Sequence, residues 1–147
     1  MALKERLMED LKTAMKEKDQ LRKSVITMVR ASIKQYEVDH RVELDDEGIL
    51  EIMMKQVKQK RDAIEEFAKG NRQDLVDEAK AEIDVLMEYL PRQLTAEEIA
   101  QIVSEVVKEV GASSAKDMGK VMSALMPKVK GRADGKLVNQ IVKQFLQ

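Results

Sequence analysis

The pattern in this 147-residue chain most able to do chemistry is a run of cations: Lys120, Lys128, Lys130, Arg132 and Lys136. These side chains offer no nucleophile. They offer fixed positive charge and N–H donors, which suits contact with phosphate. They lie within residues 117–139, DMGKVMSALMPKVKGRADGKLVN. Met118, Val121, Met122, Leu125 and Met126 recur at spacings of three and four, so one helix face can carry them. Pro127 removes a backbone donor and disfavours helix at the residue before it, so that helix is expected to stop near Met126. Lys128, Lys130 and Arg132 then crowd around Gly131. Asp134 suits an N-cap, because its carboxylate can accept the free amides of a following first turn. Leu137, Val138, Ile141, Val142 and Phe145 would supply that helix with a buried face. The ends of the stretch are thus anchored by apolar residues, and its middle is a cationic elbow that cannot bury. A phosphate-contacting module needs such a frame. The plain alternative is a turn between helices whose lysines merely solvate a surface.

The distribution of charge favours the first reading. The formal net charge is only −1. From Gly111 onward, however, seven cations face two anions, Asp117 and Asp134, giving +5 against −6 for residues 1–110. An asymmetry of this kind points to a polyanionic partner.

Other chemistries find less support. His40 is the single histidine and there is no cysteine. Asp39, Glu43, Asp45 and Asp46 stand near His40, but zinc sites want several His or Cys ligands, and the carboxylates lack the spacing of a calcium loop. An ordinary surface histidine is expected. The sequence GRADGK at 131–136 is one residue short of a phosphate-binding P-loop, lacks its Ser/Thr, and follows a helix instead of a strand. No serine sits in a nucleophile elbow. Adjacent acids such as Glu65 with Glu66 point in different directions from a helix. No catalytic residue, metal or cofactor is therefore expected. The ten methionines fall mostly on apolar stripes and read as core. Tyr36 and Tyr89 read as packed residues with hydrogen-bonded hydroxyls.

The elements that must position the elbow are helices throughout. Glycine and proline are scarce and Lys, Glu, Ala, Leu and Met are abundant. Leu3, Leu7, Met8, Leu11, Ala14 and Met15 mark a helix over about 3–18. Asp19 can cap a second, with Leu21, Val25, Met28, Val29, Ile33 and Tyr36 on one stripe as far as about Glu37. Residues 38–44 lack a stripe and are expected as an exposed connection. Asp45 can cap a third helix carrying Ile49, Ile52, Met53, Val57, Ile64 and Phe67. Gln56 and Lys60 interrupt its stripe, which predicts exposure at mid-length. Gly70 with Asn71 is a stop signal. A fourth helix carries Leu75, Ala79, Ile83, Leu86, Met87 and Leu90 and ends before Pro91. Thr95 with Glu98 forms a capping box for a fifth, with Leu94 and Ile99 as a staple, and Gly111 stops it. The expectation is an all-α fold: a four-helix hairpin or bundle domain at 1–94 and a three-helix tail domain at 95–147.

Two segments resemble the signature segments of the YqeY family: YLPRQLTAEEI at 89–99, and residues 117–139. The segment KQVKQKRDAIEEF at 55–67 is also similar to that family. The resemblance extends over essentially the whole chain. The family is similar to the C-terminal helical and tail region of the B subunit of the glutamine-dependent aminoacyl-tRNA amidotransferase. The resemblance implies an all-helical fold in two parts and a tRNA-related role, with carbon–nitrogen ligase activity (glutamine as amido donor) belonging to a catalytic domain for which this chain has no room. The expected protein is a tRNA-binding accessory, not catalytic alone, with Lys120, Lys128, Lys130, Arg132 and Lys136 on the RNA. The alternative is a helical module docking on an amidotransferase or aminoacyl-tRNA synthetase. No DNA or membrane partner is expected. The absence of cysteine, of an apolar run near 20 residues and of a signal-like N-terminus leads to a cytoplasmic expectation.

Overall fold

The computed structural model describes residues 2–147, and among these all regular structure is helical, as expected. The α-helices are α1 (Leu3–Lys16), α2 (Gln20–His40), α3 (Asp46–Lys69), α4 (Gln73–Met87), α5 (Ala96–Val110), α6 (Met118–Val129) and α7 (Gly135–Leu146), with a 3-10 turn at Ala115–Asp117. The chain divides into two compact units, the second spanning Pro91–Gln147.

In the first unit α1 packs on α2 and α3 on α4, and α2 also meets α3 and α4. Leu7, Ile26, Val29, Ile49, Met53, Val57 and Leu86 make one core. Their three- and four-residue spacing puts each set on a single helix face. Asp19 caps α2 by accepting from Arg22 N at 3.1 Å, and Asp45 caps α3 by accepting from Gly48 N at 2.9 Å. Asp46 reaches back to accept from Leu3 N at 3.0 Å, tying the start of α1 to that of α3.

Two local expectations are corrected. Helix α2 runs past Glu37 to His40 without an apolar stripe, because four-residue side-chain pairs support it instead. Gln35 donates to Asp39 at 2.8 Å, and the His40 ring stacks on Tyr36 with centroids 4.0 Å apart. Tyr36 is therefore exposed and not packed in the core. The middle of α3 is not exposed either. Gln56 is buried with Nε2 donating to Ser32 Oγ at 2.9 Å, and half-buried Lys60 pairs with Glu82 at 3.3 Å. Polar residues continue the stripe because polar partners on α2 and α4 face them. At the Gly70–Asn71 stop it is Asn71 that takes the left-handed conformation, at φ 58°.

In the second unit α5 packs on both α6 and α7 around Ile99, Val103, Val106, Val121, Leu125, Val129, Val138 and Val142. The capping box forms: Glu98 N donates to Thr95 Oγ1 and Thr95 N to Glu98 Oε1, each at 3.1 Å. Gly111 ends α5 with φ 68°. In the last turn of α7 Leu146 is buried, and Phe145 remains 42% exposed.

Candidate nucleic-acid interface

The helix before the elbow does not stop near Met126. It passes through Pro127 to Val129. Proline there forfeits the bond to the Ser123 carbonyl, while Lys130 N still donates to Met126 O at 2.9 Å. Burying Val129, worth about 1.5–3 kcal/mol, is comparable with the roughly 3 kcal/mol cost of an interior proline. The core thus draws the helix three residues further. Lys128 accordingly sits on the last turn of α6, not in the connection.

The chain then turns sharply. Lys130 leaves helical geometry at ψ 128°, Gly131 adopts φ 75°, and Arg132 N donates to Val129 O at 2.9 Å. Asp134 opens α7 as expected, accepting from Lys136 N at 3.1 Å. The elbow is also held from outside. Leu94 N donates to Arg132 O at 2.7 Å, and Gln93 Nε2 donates to Gly131 O at 3.0 Å and to Pro91 O at 2.9 Å. The segment before α5 therefore clamps two consecutive elbow carbonyls. Leu94 is itself anchored in the core, so the clamp has a fixed base.

The expected site residues separate. Lys128, Lys130 and Lys136 are exposed and Arg132 is half-buried, all within residues 128–136. Lys120 lies on the first turn of α6, about 12 Å along the helix axis from Lys128 at 1.5 Å per residue, and does not join the elbow. Lys128 forms an exposed ion pair with Glu109 at 3.5 Å. Arg132, Lys136 and Lys120 have no acidic partner among the described residues. An exposed pair such as Lys128–Glu109 is weak, so a phosphate can compete for the ammonium.

Sequence reasoning missed Gln93 and Arg92. Arg92 forks onto Glu98 at 2.9 and 2.7 Å. That hydrogen bonding, followed by the Thr95 N–H, holds the Glu98 carboxyl down at about 2. Arg92 is thus spent on the cap of α5. The signal for both residues was their place between Pro91 and the capping box, which the periodicity of helices does not read. Tyr89 met its expectation: it is buried, its hydroxyl donates to Asp10, and the Arg6 guanidinium lies 4.5 Å from its ring centroid. Burial first, then the bond to Asp10, raises its pKa and keeps it protonated. His40 is exposed, and no group of three or more His, Cys, Asp or Glu residues is arranged to hold a metal among the described residues. No helix among them is long and apolar enough to cross a membrane.

Comparison with known proteins adds a family and a correction. The family model described as Yqey-like protein matches residues 4–146. Among curated proteins, Altered inheritance of mitochondria protein 41, mitochondrial, of Lachancea thermotolerans is 40% identical over 93 residues, covering 63% of this chain and 50% of that protein. Its namesakes in Kluyveromyces lactis and Candida glabrata are 40% and 38% identical, over 56% and 57% of this chain and 45% and 47% of theirs. The chain spans about half the length of the curated relatives it matches. These relatives are named as mitochondrial proteins, which overturns the cytoplasmic expectation. Cysteine content and hydropathy, on which that expectation stood, do not distinguish the two compartments.

Proposed function

The chain belongs to the YqeY-like family, and from that premise we propose that it is a tRNA-binding accessory protein whose elbow at residues 128–136 grips phosphates. One observation carries the reading. Gln93 and Leu94 fix the Gly131 and Arg132 carbonyls, so the elbow presents its cations from a backbone already ordered before RNA arrives. Ordering a loop on binding costs free energy, and this elbow has incurred that cost in folding. Lys128, Lys130, Arg132 and Lys136 contact phosphate oxygens, and Lys120 lies outside the site. Base specificity is weak, because no aromatic residue is available at the elbow for stacking. The protein assists amidation of mischarged aminoacyl-tRNA without performing it, since the nucleophile and nucleotide site that such a ligase requires have no counterpart in the sequence.

Fluorescence anisotropy with labelled tRNA tests this. Replacing Lys128, Lys130, Arg132 and Lys136 together by Gln should weaken binding at least about tenfold at moderate salt, through lost counterion release. Glutamine is preferred to glutamate because a glutamate at 128 would confront Glu109. Unchanged affinity in a folded variant would remove RNA from the elbow and favour docking on a protein partner.

A further inference from the structure

A surface helix ordinarily buries one apolar stripe and gives its other side to water. Helix α2 buries Val25, Ile26, Val29 and Ile33 on its inner face, yet it carries a second line on the outer one. Leu21, Ser24, Met28, Ala31, Gln35 and Val38 follow one another at alternating steps of three and four. That is the spacing of a coiled-coil seam, which keeps one face turned toward a partner helix. All six are exposed, with Leu21 at 37%, Met28 at 52% and Val38 at 65%. Among the described residues no other helix exposes more than two large hydrophobic side chains, so the line on α2 is not the ordinary scatter of a surface.

The order of residues along the seam selects what covers it. When α2 lies antiparallel on a copy of itself with Met28 opposite Ala31, Leu21 falls opposite Val38 and Ser24 opposite Gln35. A two-fold axis repeats each layer. A long side chain then meets a small one, two branched apolar residues meet, and the two polar residues meet each other. Gln35 Nε2 donates to Asp39 at 2.8 Å, and its Oε1 has no donor among the described residues. That oxygen can accept from the Ser24 hydroxyl of the second copy. Lys34 borders the seam and comes opposite Thr27 of the second copy, so no like charges confront each other. A parallel pairing would set Lys34 near Asp39 of the second copy, but an exposed ion pair contributes little. It would also stack Ser24 on Ser24 and Ala31 on Ala31, leaving gaps that forfeit packing. The line is complementary to itself in one direction only, which a face built for an unrelated partner has no need to be.

We propose that the outer face of α2 docks a second copy of this chain in an antiparallel, two-fold symmetric homodimer. From Leu21 to Val38 the seam runs about 26 Å at 1.5 Å per residue. Contact over that length is small beside the interfaces of permanent dimers, so association is reversible, with Kd on the order of 10–100 µM.

Sedimentation of the full chain between about 10 µM and 1 mM tests this. A monomer–dimer equilibrium is expected. Met28→Glu places carboxylates close to the two-fold axis and should weaken association at least about tenfold. Its position is exposed, so helix ellipticity and the thermal midpoint should hold. Met15→Glu, at a site 56% exposed on α1 and off the seam, should leave association unchanged. Orientation is read by cross-linking, which the absence of native cysteine keeps clean. Leu21→Cys mixed with Val38→Cys should form the mixed disulfide readily, and neither variant alone should form its own at a comparable rate. A chain that stays monomeric at about 1 mM, a dimer indifferent to Met28→Glu, or Leu21→Cys joining itself faster than it joins Val38→Cys would each overturn the proposal.

Discussion

Two glycines four residues apart lie within the elbow, and the same substitution at each should act in opposite directions. Gly131 has φ 75°, and a Cβ built on it meets no atom within 4 Å. The cost of Gly131→Ala is therefore purely conformational, about 1–2 kcal/mol for an L-residue held in the left-handed region. Gly135 is the first residue of α7, has no positive φ, and its Cβ likewise meets nothing within 4 Å. Alanine there lowers the entropy of the unfolded chain without strain, so Gly135→Ala should stabilise by about 0.4–1 kcal/mol. With a urea slope of about 1–3 kcal/mol per molar, the midpoint of the transition that melts α7 should fall by several tenths of a molar for Gly131→Ala. It should rise by a smaller amount for Gly135→Ala. Urea denaturation followed by helix ellipticity reads both, provided the slopes match wild type. Gly131→Asn should recover part of the loss, since asparagine tolerates this conformation better than alanine. Shifts of the same sign at 131 and 135 would refute the backbone reasoning and with it the description of the elbow as a fixed turn.

Thr95→Ala should destabilise by about 1 kcal/mol through loss of the cap on α5, and an unchanged denaturation midpoint would contradict the capping box. The Glu98 contacts should show in a pH series. Its carboxyl is held at about 2 against an ordinary 4.5, so their contribution is full above about 4.5 and is lost as pH falls through about 2. The thermal-midpoint difference between wild type and Glu98→Gln should therefore be constant near neutrality and shrink in that acid window; a difference that grew on acidification would contradict the assignment. Tyr89→Phe removes the donor to Asp10 and should lower stability by about 1 kcal/mol, at the low end because Asp10 is 37% exposed. A denaturation midpoint equal to wild type would show that the bond contributes nothing.

Helices and their caps were legible where local chemistry decides them. Asp19, Asp45, Thr95 and Asp134 all cap the helices expected of them, because an N-cap is a contact over two or three residues. Errors arose where a distant partner decided the outcome. Gln56 and Lys60 read as breaks in a stripe in the sequence alone, whereas Ser32 and Glu82 stand opposite them in the fold. Pro127 reads as a terminator, but burial of Val129 carries α6 beyond it. At the elbow, the cluster and the Asp134 cap could be read from the sequence. The clamp by Gln93 and Leu94 could not, since it joins residues 38 apart through a backbone whose path a one-dimensional pattern does not contain. Lys120 is expected on the RNA together with the elbow cations, and helix geometry sets it about 12 Å along α6 from Lys128.

The salt dependence of tRNA binding tests the phosphate-gripping elbow most directly. Log affinity should fall with log salt by about 0.7 per neutralised phosphate on single strands and about 0.9 on duplex, so three or four contacts give a slope of about −2 to −4. The Lys128, Lys130, Arg132 and Lys136 to Gln variant should bring that slope near zero. A matched variant changing Lys12, Lys16, Lys58 and Lys80 removes four charges from exposed first-unit positions and should leave it unchanged. Equal loss of slope from both sets, or a wild-type slope retained by the elbow variant, would contradict a phosphate site at the elbow.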